Sequence, residues 1–175
     1  MKIQVAERMN HIEGSVIRQF AEAALKPGLI TFANGNPAPA TYPIEEMKKF
    51  FIEALESDEV EDLLMYGNVQ GYPPLVKCLK ERLAKKYGFD FEMNDLYIVS
   101  GGTQAADVVS KIWLDKGDAV ITEEPSYASM YNIFRAYEAD LIGVPIDDTG
   151  IDVDAVEEVL KTNPKVKLIY TIPSF

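Results

Sequence analysis

Residues 96–127 read LYIVSGGTQAADVVSKIWLDKGDAVITEEPSY, and no other stretch limits the fold as tightly. Leu96, Tyr97, Ile98 and Val99 form a short apolar, β-prone run, the pattern of a strand covered on both faces. Ser100, Gly101, Gly102 and Thr103 break it. Ala105, Val108, Val109, Ile112 and Trp113 then recur at helical spacing. Gly117 and Asp118 close that helix, and Ala119, Val120 and Ile121 open the next strand. The spacing predicts a βαβ unit with a right-handed crossover. Its small, hydroxyl-bearing turn falls where free amide groups at a helix start can hold an anion.

The turn narrows the chemistry by what it lacks. A dinucleotide fold wants Gly-x-Gly-x-x-Gly, which Gly101, Gly102 and Thr103 do not supply. A phosphate-binding P-loop wants Gly-x-x-x-x-Gly-Lys-Ser/Thr, and no such run occurs in the 175 residues. Two readings stay open: a phosphate cup for a small phosphorylated cofactor, and a plain strand-to-helix turn with Thr103 as cap. The segment Glu123-Glu124-Pro125-Ser126-Tyr127 favours the first. It follows the second strand, so Tyr127 emerges at a strand's carboxyl end, the edge where open parallel sheets bind ligands. An aromatic ring there can stack on a planar heterocycle while the turn grips its phosphate.

At this spacing, SGGTQ and EEPSY together resemble the fold type I pyridoxal-phosphate enzymes, specifically the class I/II aminotransferases, and the resemblance runs along nearly the whole chain. It implies an α/β fold: a mostly parallel sheet with helices on both faces, the large domain of an aspartate-aminotransferase-like protein, preceded by an N-terminal helical arm. Gly102, Thr103 and Gln104 would hold the phosphate of pyridoxal 5'-phosphate, with Tyr127 stacked on its ring. The segment YGNVQG resembles the family segment whose tyrosine, here Tyr66, crosses to the neighbouring subunit of a homodimer and donates to its cofactor phosphate. Read without the family, Tyr66 anchors a loop. FANGNPAPATYP resembles the glycine-x-proline segment beside the substrate carboxylate, with Gly35 at the close approach. Read without the family, Gly35 and its two asparagines make a turn. The implied substrates are an amino acid and a 2-oxo acid, and EEPSY looks like the aromatic and 2-aminoadipate branch.

Elsewhere the chain reads as ordinary soluble protein. Val16, Ile17, Phe20, Ala21 and Ala24 predict a helix ended by Lys26-Pro27-Gly28, and residues 29–33 an extended run. A helix follows Pro43, with Thr41 as possible cap and Ile44, Met47, Phe50, Phe51, Ala54 and Leu55 on a buried face. Residues 57–64 read as loop or short turn. Pro73-Pro74 opens a helix with Leu75, Val76, Leu79 and Leu83 on its apolar face and Gly88 after its end; Cys78 adjoins this face as a packing residue. Residues 128–137 predict a helix packed inward through Met130, Tyr131, Ile133, Phe134 and Tyr137. Residues 141–145 are a third strand, 147–150 a turn, and Asp152 or Asp154 starts a helix ended by Asn163-Pro164. Residues 166–172 are a fourth buried strand. Three segments are expected: 1–42 as arm and substrate-proximal glycine segment, 43–95 as helical lead-in, and 96–175 as the first part of the cofactor domain.

Charge and special residues exclude several classes. Lys and Arg number 17 against 28 Asp and Glu, a net charge of −11, which argues against nucleic acid or anionic membrane as partner. Cys78 is the only cysteine, so no intrachain disulfide forms. His11 is the only histidine, giving a metal site little support. With no signal peptide and no apolar run of membrane-spanning length, a cytoplasmic protein is expected. The resemblance also implies what is missing: the Asn-Pro segment, the aspartate partner of the pyridine nitrogen, the Schiff-base lysine and the substrate-gripping arginine. No Ser-x-x-Lys occurs, and Lys111, Lys165 and Lys167 read as solvated surface. The expectation is an N-terminal part of an aminotransferase, inactive alone. Another pyridoxal-phosphate reaction, such as a lyase or decarboxylase, and a non-catalytic or truncated aminotransferase-like domain remain the alternatives.

Overall fold

The computed structural model describes residues 4–12, 28, 32 and 37–173. The expected helix over 16–24, the run over 29–33 apart from Phe32, and Gly35 lie outside the described residues. The chain divides into two compact units, Asn34–Val99 and Met1–Ala33 with Ser100–Phe175.

In the first unit, helix α1 spans Ile44–Leu55, α2 Val60–Leu64 and α3 Pro73–Tyr87. Glu45 and Glu46 in the first turn of α1 suit the positive end of its dipole. Thr41 does not cap it: the Thr41 hydroxyl donates to Ala38 O at 2.7 Å, and Pro43 holds the cap position. Its apolar stripe, expected in the core, is uncovered, with Ile44, Met47, Phe50, Phe51 and Leu55 all exposed. Helix α2 stands where a loop or turn is expected, because a single helical turn is too short for periodicity to register. Pro73 supplies a preset first turn for α3, and Gly88 ends it in the left-handed region at φ 71°. Val76 is the buried member of its face, while Cys78 is exposed rather than packed.

The segment 96–99 belongs to this unit and is not a strand. Ile98 N–H donates to Gln70 O at 2.8 Å, but no strand runs alongside it among the described residues. A strand is a ladder between two chains of backbone groups, and β-prone side chains cannot substitute for the missing neighbour. Lys80 and the Gln70 amide instead hold the segment's start through Asp95, and the Lys80 hydrogen bond is the main cause that draws this carboxyl below the usual range.

The second unit carries the sheet. Helix α4 (Gly101–Trp113) leads into β1 (Ala119–Glu124), α5 (Ala128–Ala136), β2 (Asp140–Asp147), β3 (Gly150–Ile151), α6 (Val153–Thr162) and β4 (Val166–Tyr170). The strand order is β3-β2-β1-β4, with β1 parallel to both β2 and β4 and β3 antiparallel to β2. Flanked on both edges, β1 is buried from Ala119 through Glu123. The Asp147 carboxylate accepts the Thr149 N–H at 2.7 Å and its hydroxyl at 2.6 Å, fixing the tight turn between β2 and β3. Asp152 caps α6 by accepting the Ala155 N–H at 3.0 Å. The core gathers Leu114, Val120, Met130, Phe134 and Ala139, with Phe134 edge-on to Tyr170 at 5.8 Å.

Helix α4 has two apolar sides. Ala106 packs on the core cluster and Ser110 is fully buried, both on the side that leads to Leu114. Val108, Val109, Ile112 and Trp113 lie on the other side and are exposed. A helix that is apolar on two sides matches burial between two layers.

Candidate cofactor site at the carboxyl edge of the sheet

Helix α4 begins at an open turn. Gly101 adopts φ 84°, a region that costs any residue with a Cβ, and so swings the chain from the extended segment into the helix. The Gln104 side-chain oxygen accepts the Ser100 N–H, which ties down the helix start and leaves the carboxamide N–H groups uncommitted among the described residues. The N–H groups of Gly101, Gly102 and Thr103 have no acceptor there either. A Cβ built on Gly101 or Gly102 meets nothing within 4 Å, so among the described residues no side chain packs against either glycine. These are the orphan donors of a helix start, at the positive end of its dipole. Thr103 does not act as the cap: Ser100 holds that position without a side-chain cap bond.

Tyr127 stands at the cap of α5, just past the carboxyl end of β1 and the cis Glu124–Pro125 peptide, and is partly exposed. Beside it lies a cavity of about 400 Å³ lined by Glu123, Pro125, Ser126, Tyr127, Ile146 and Ile172. Its walls are thus the carboxyl ends of β1 and β2 and the residues following β4. The Ser126 hydroxyl is buried without a hydrogen-bond partner. Glu123 is buried, and its carboxylate accepts the Ile172 N–H at 3.0 and 3.1 Å. Burial first, then the charge of Glu123 and the phenol of Tyr127, push the nearby Tyr170 phenol upward.

The turn and Tyr127 share one edge of the sheet. α4 enters β1 and α5 leaves it through short connections, so both helices start toward the carboxyl end of the strand. The two pack together, and the Tyr137 hydroxyl donates to Asp107 Oδ1 at 3.0 Å. Asp107 lies six residues into α4 and Tyr137 nine beyond the start of α5. At 1.5 Å per residue the two starts are level to within about one helical turn.

Tyr66 lies in the other unit, after α2, and is fully exposed. Lys111, Lys165 and Lys167 are exposed. His11 sits 3.9 Å from the Glu138 carboxylate, which Lys116 holds at 2.6 Å. Among the described residues no helix is long and apolar enough to cross a membrane.

Glu123, Ser126, Ile146 and Ile172 escape sequence reading. The one available signal was the acidic Glu123 continuing a run otherwise buried on both faces.

Comparison with known proteins assigns the lineage. Residues 27–172 match the family described as aminotransferase class I and II. Aromatic-amino-acid aminotransferase 1 of Thermococcus litoralis is 33% identical over 174 residues, 97% of this chain and 42% of that protein. The crystal structure of Pyrococcus horikoshii kynurenine aminotransferase, in complex with PMP and with KYN and KYA, is 32% identical with a TM-score of 0.87, covering 96% of this chain and 42% of that one. That of the α-aminoadipate aminotransferase of Thermus thermophilus, complexed with N-(5'-phosphopyridoxyl)-L-leucine, is 34% identical with a TM-score of 0.79 over 97% and 40%. The chain therefore spans about two fifths of the length of these relatives, and it belongs to the class I and II aminotransferase family.

Proposed function

We propose that the carboxyl edge of this sheet binds pyridoxal 5'-phosphate, and that the chain serves amino-group transfer between an amino acid and a 2-oxo acid. The observation that carries this reading is the open start of α4, with three amides that have no acceptor among the described residues, on the same edge as Tyr127. The residues fit the group. The amides of Gly102 and Thr103, the Thr103 hydroxyl and the free carboxamide N–H groups of Gln104 offer donors to a phosphate dianion. Tyr127 offers a ring face to a pyridine, and the cavity beside it is large enough for a small heterocycle.

When bound, pyridoxal phosphate supplies an electron sink that stabilises negative charge at a substrate α-carbon. The residues of this chain bind and orient it. The α4 start anchors the phosphate, and Tyr127 fixes the ring plane. Pro125, Ile146 and Ile172 keep water from one side of it. Gly35 lies beside the substrate carboxylate in this reading, and the exposed Tyr66 reaches the phosphate of a second subunit in a homodimer. The fold is then the aspartate-aminotransferase-like large domain in part, in a cytoplasmic protein. The named relatives act on aromatic amino acids, kynurenine or α-aminoadipate, so aromatic and 2-aminoadipate substrates come first for trial.

Fluorescence titration with pyridoxamine 5'-phosphate tests the site, because this probe lacks the aldehyde that reacts with surface lysines. Saturable binding, competed by inorganic phosphate but much tighter than it, is the expected result. Equal affinity for the two refutes a ring site.

A further inference from the structure

Glu123 is an expensive choice for its position. It is 6% exposed, and among the described residues no Lys, Arg or His pairs with its carboxylate. A buried unpaired charge is costly unless hydrogen bonds compensate it. The compensation here comes from one main-chain group, the Ile172 N–H, which both carboxylate oxygens accept from 49 positions away in sequence. Glu123 is itself held from the other side, since the Tyr131 hydroxyl donates to its main-chain oxygen at 3.1 Å. Ile172 and Tyr127 both line the cavity at the strand edge, Ile172 just after β4 and Tyr127 at the cap of α5.

We propose that Glu123 is a positioning residue for this cavity: its carboxylate tethers the main chain after β4 and so sets the spacing between the Ile172 wall and the Tyr127 ring. β4 ends at Tyr170, so beyond it no ladder bond holds the chain. The tether replaces one. A carboxylate can accept from a single N–H with either oxygen, so the bond survives small rocking of the side chain. This inference rests on the reading of the cavity as the pyridine-ring site.

Two conservative variants separate reach from charge. Glu123→Gln keeps an acceptor oxygen at the same reach and removes the charge. Glu123→Asp keeps the charge and shortens the reach by one methylene. Pyridoxamine 5'-phosphate and inorganic phosphate are titrated against each, and exchange of the Ile172 amide is followed by NMR. With the loss of one charge-assisted hydrogen bond, Glu123→Asp is expected to bind pyridoxamine phosphate roughly tenfold to a hundredfold more weakly. Its Ile172 amide exchanges faster, and its affinity for inorganic phosphate is unchanged. Glu123→Gln stays within about threefold of the parent, with a protected Ile172 amide. Glu123→Asp binding like the parent overturns the tether, as does Glu123→Gln failing as badly as Glu123→Asp. Equal loss of inorganic phosphate binding overturns it too, because the variant has then disturbed the whole edge. If the unsubstituted chain does not prefer pyridoxamine phosphate to inorganic phosphate, the ring-site reading falls and the inference with it. A preference that Glu123→Asp leaves intact sinks the tether alone.

Discussion

Gly101 and Gly102 are adjacent glycines at the start of α4, and their replacement by alanine should have opposite effects. Gly101 has φ 84° and Gly102 does not lie in the left-handed region. Space does not separate them, since a Cβ at either meets nothing within 4 Å. At Gly101 an alanine pays the left-handed penalty of about 1–2 kcal/mol. At Gly102 it gains up to about 1 kcal/mol from the smaller entropy of the unfolded chain. The two variants should therefore differ by roughly 2 kcal/mol, which at a urea slope of about 1–3 kcal/mol/M is a gap in midpoint near 1 M. Trp113 is the sole tryptophan and the last residue of the same helix, so its fluorescence reports the element being perturbed. Gly101→Ala should also weaken phosphate binding, because relieving the strain re-aims the amides that follow. Midpoints that move together, or a more stable Gly101→Ala, refute the assignment of that turn as strained and open.

Tyr127→Ala should weaken pyridoxamine 5'-phosphate by roughly threefold to tenfold, the worth of one aromatic stack, with Tyr127→Phe close to the parent; equal losses in both variants would assign the effect to the hydroxyl instead. Asp95 is held below the usual carboxylate range, first by the Lys80 hydrogen bond and then by the Leu96 N–H. Its folded value lies below its unfolded one, so its contribution to stability is present above about pH 4 and is lost as pH falls through the folded value. Urea midpoints for the parent should drop more steeply than those of Asp95→Asn across that acid range, and parallel curves would remove Asp95 from the account.

Legibility followed the range of the forces involved. Asp152 and Asn163-Pro164 bracket a helix because cap and stop act locally, and the structure has Asp152 capping α6. Residues 119–121 announce β1 because a strand buried on both faces must be apolar throughout. Residues 96–99 carry the same signal and form no ladder, since the signal reports side chains while a strand requires a neighbour's backbone. β3, two residues long, and α2, a single turn, are too short to carry a period. For the site, the placement of residues 102–104 and Tyr127 at element boundaries was readable, because glycines and caps mark boundaries. Glu123 was not, because its meaning depends on Ile172, 49 residues on.

The surface of each unit carries a further consequence. On α1, Phe50 is 60% and Phe51 62% exposed, and on α4 Trp113 is 61% exposed. Phe134, on the inward face of α5 as expected, is by contrast 3% exposed, because β1 and β4 supply its cover. Covering the five apolar side chains of α1 in two copies would remove on the order of 1,000 Å² from water, the lower end of what a specific interface buries. Opposing this is a net charge of −11, which repels like copies. Salt decides between the two terms: the Debye length falls from about 30 Å at 0.01 M to about 8 Å at 0.15 M, while apolar burial is left nearly untouched. The expected behaviour is self-association that strengthens with both protein concentration and added salt, reduced by Phe51→Glu, which adds charge to the patch without touching the core. Light scattering across a dilution series at the two ionic strengths measures it. A monodisperse monomer throughout would mean that the bare stripe of α1 is too small or too curved to overcome the cost of ordering two copies.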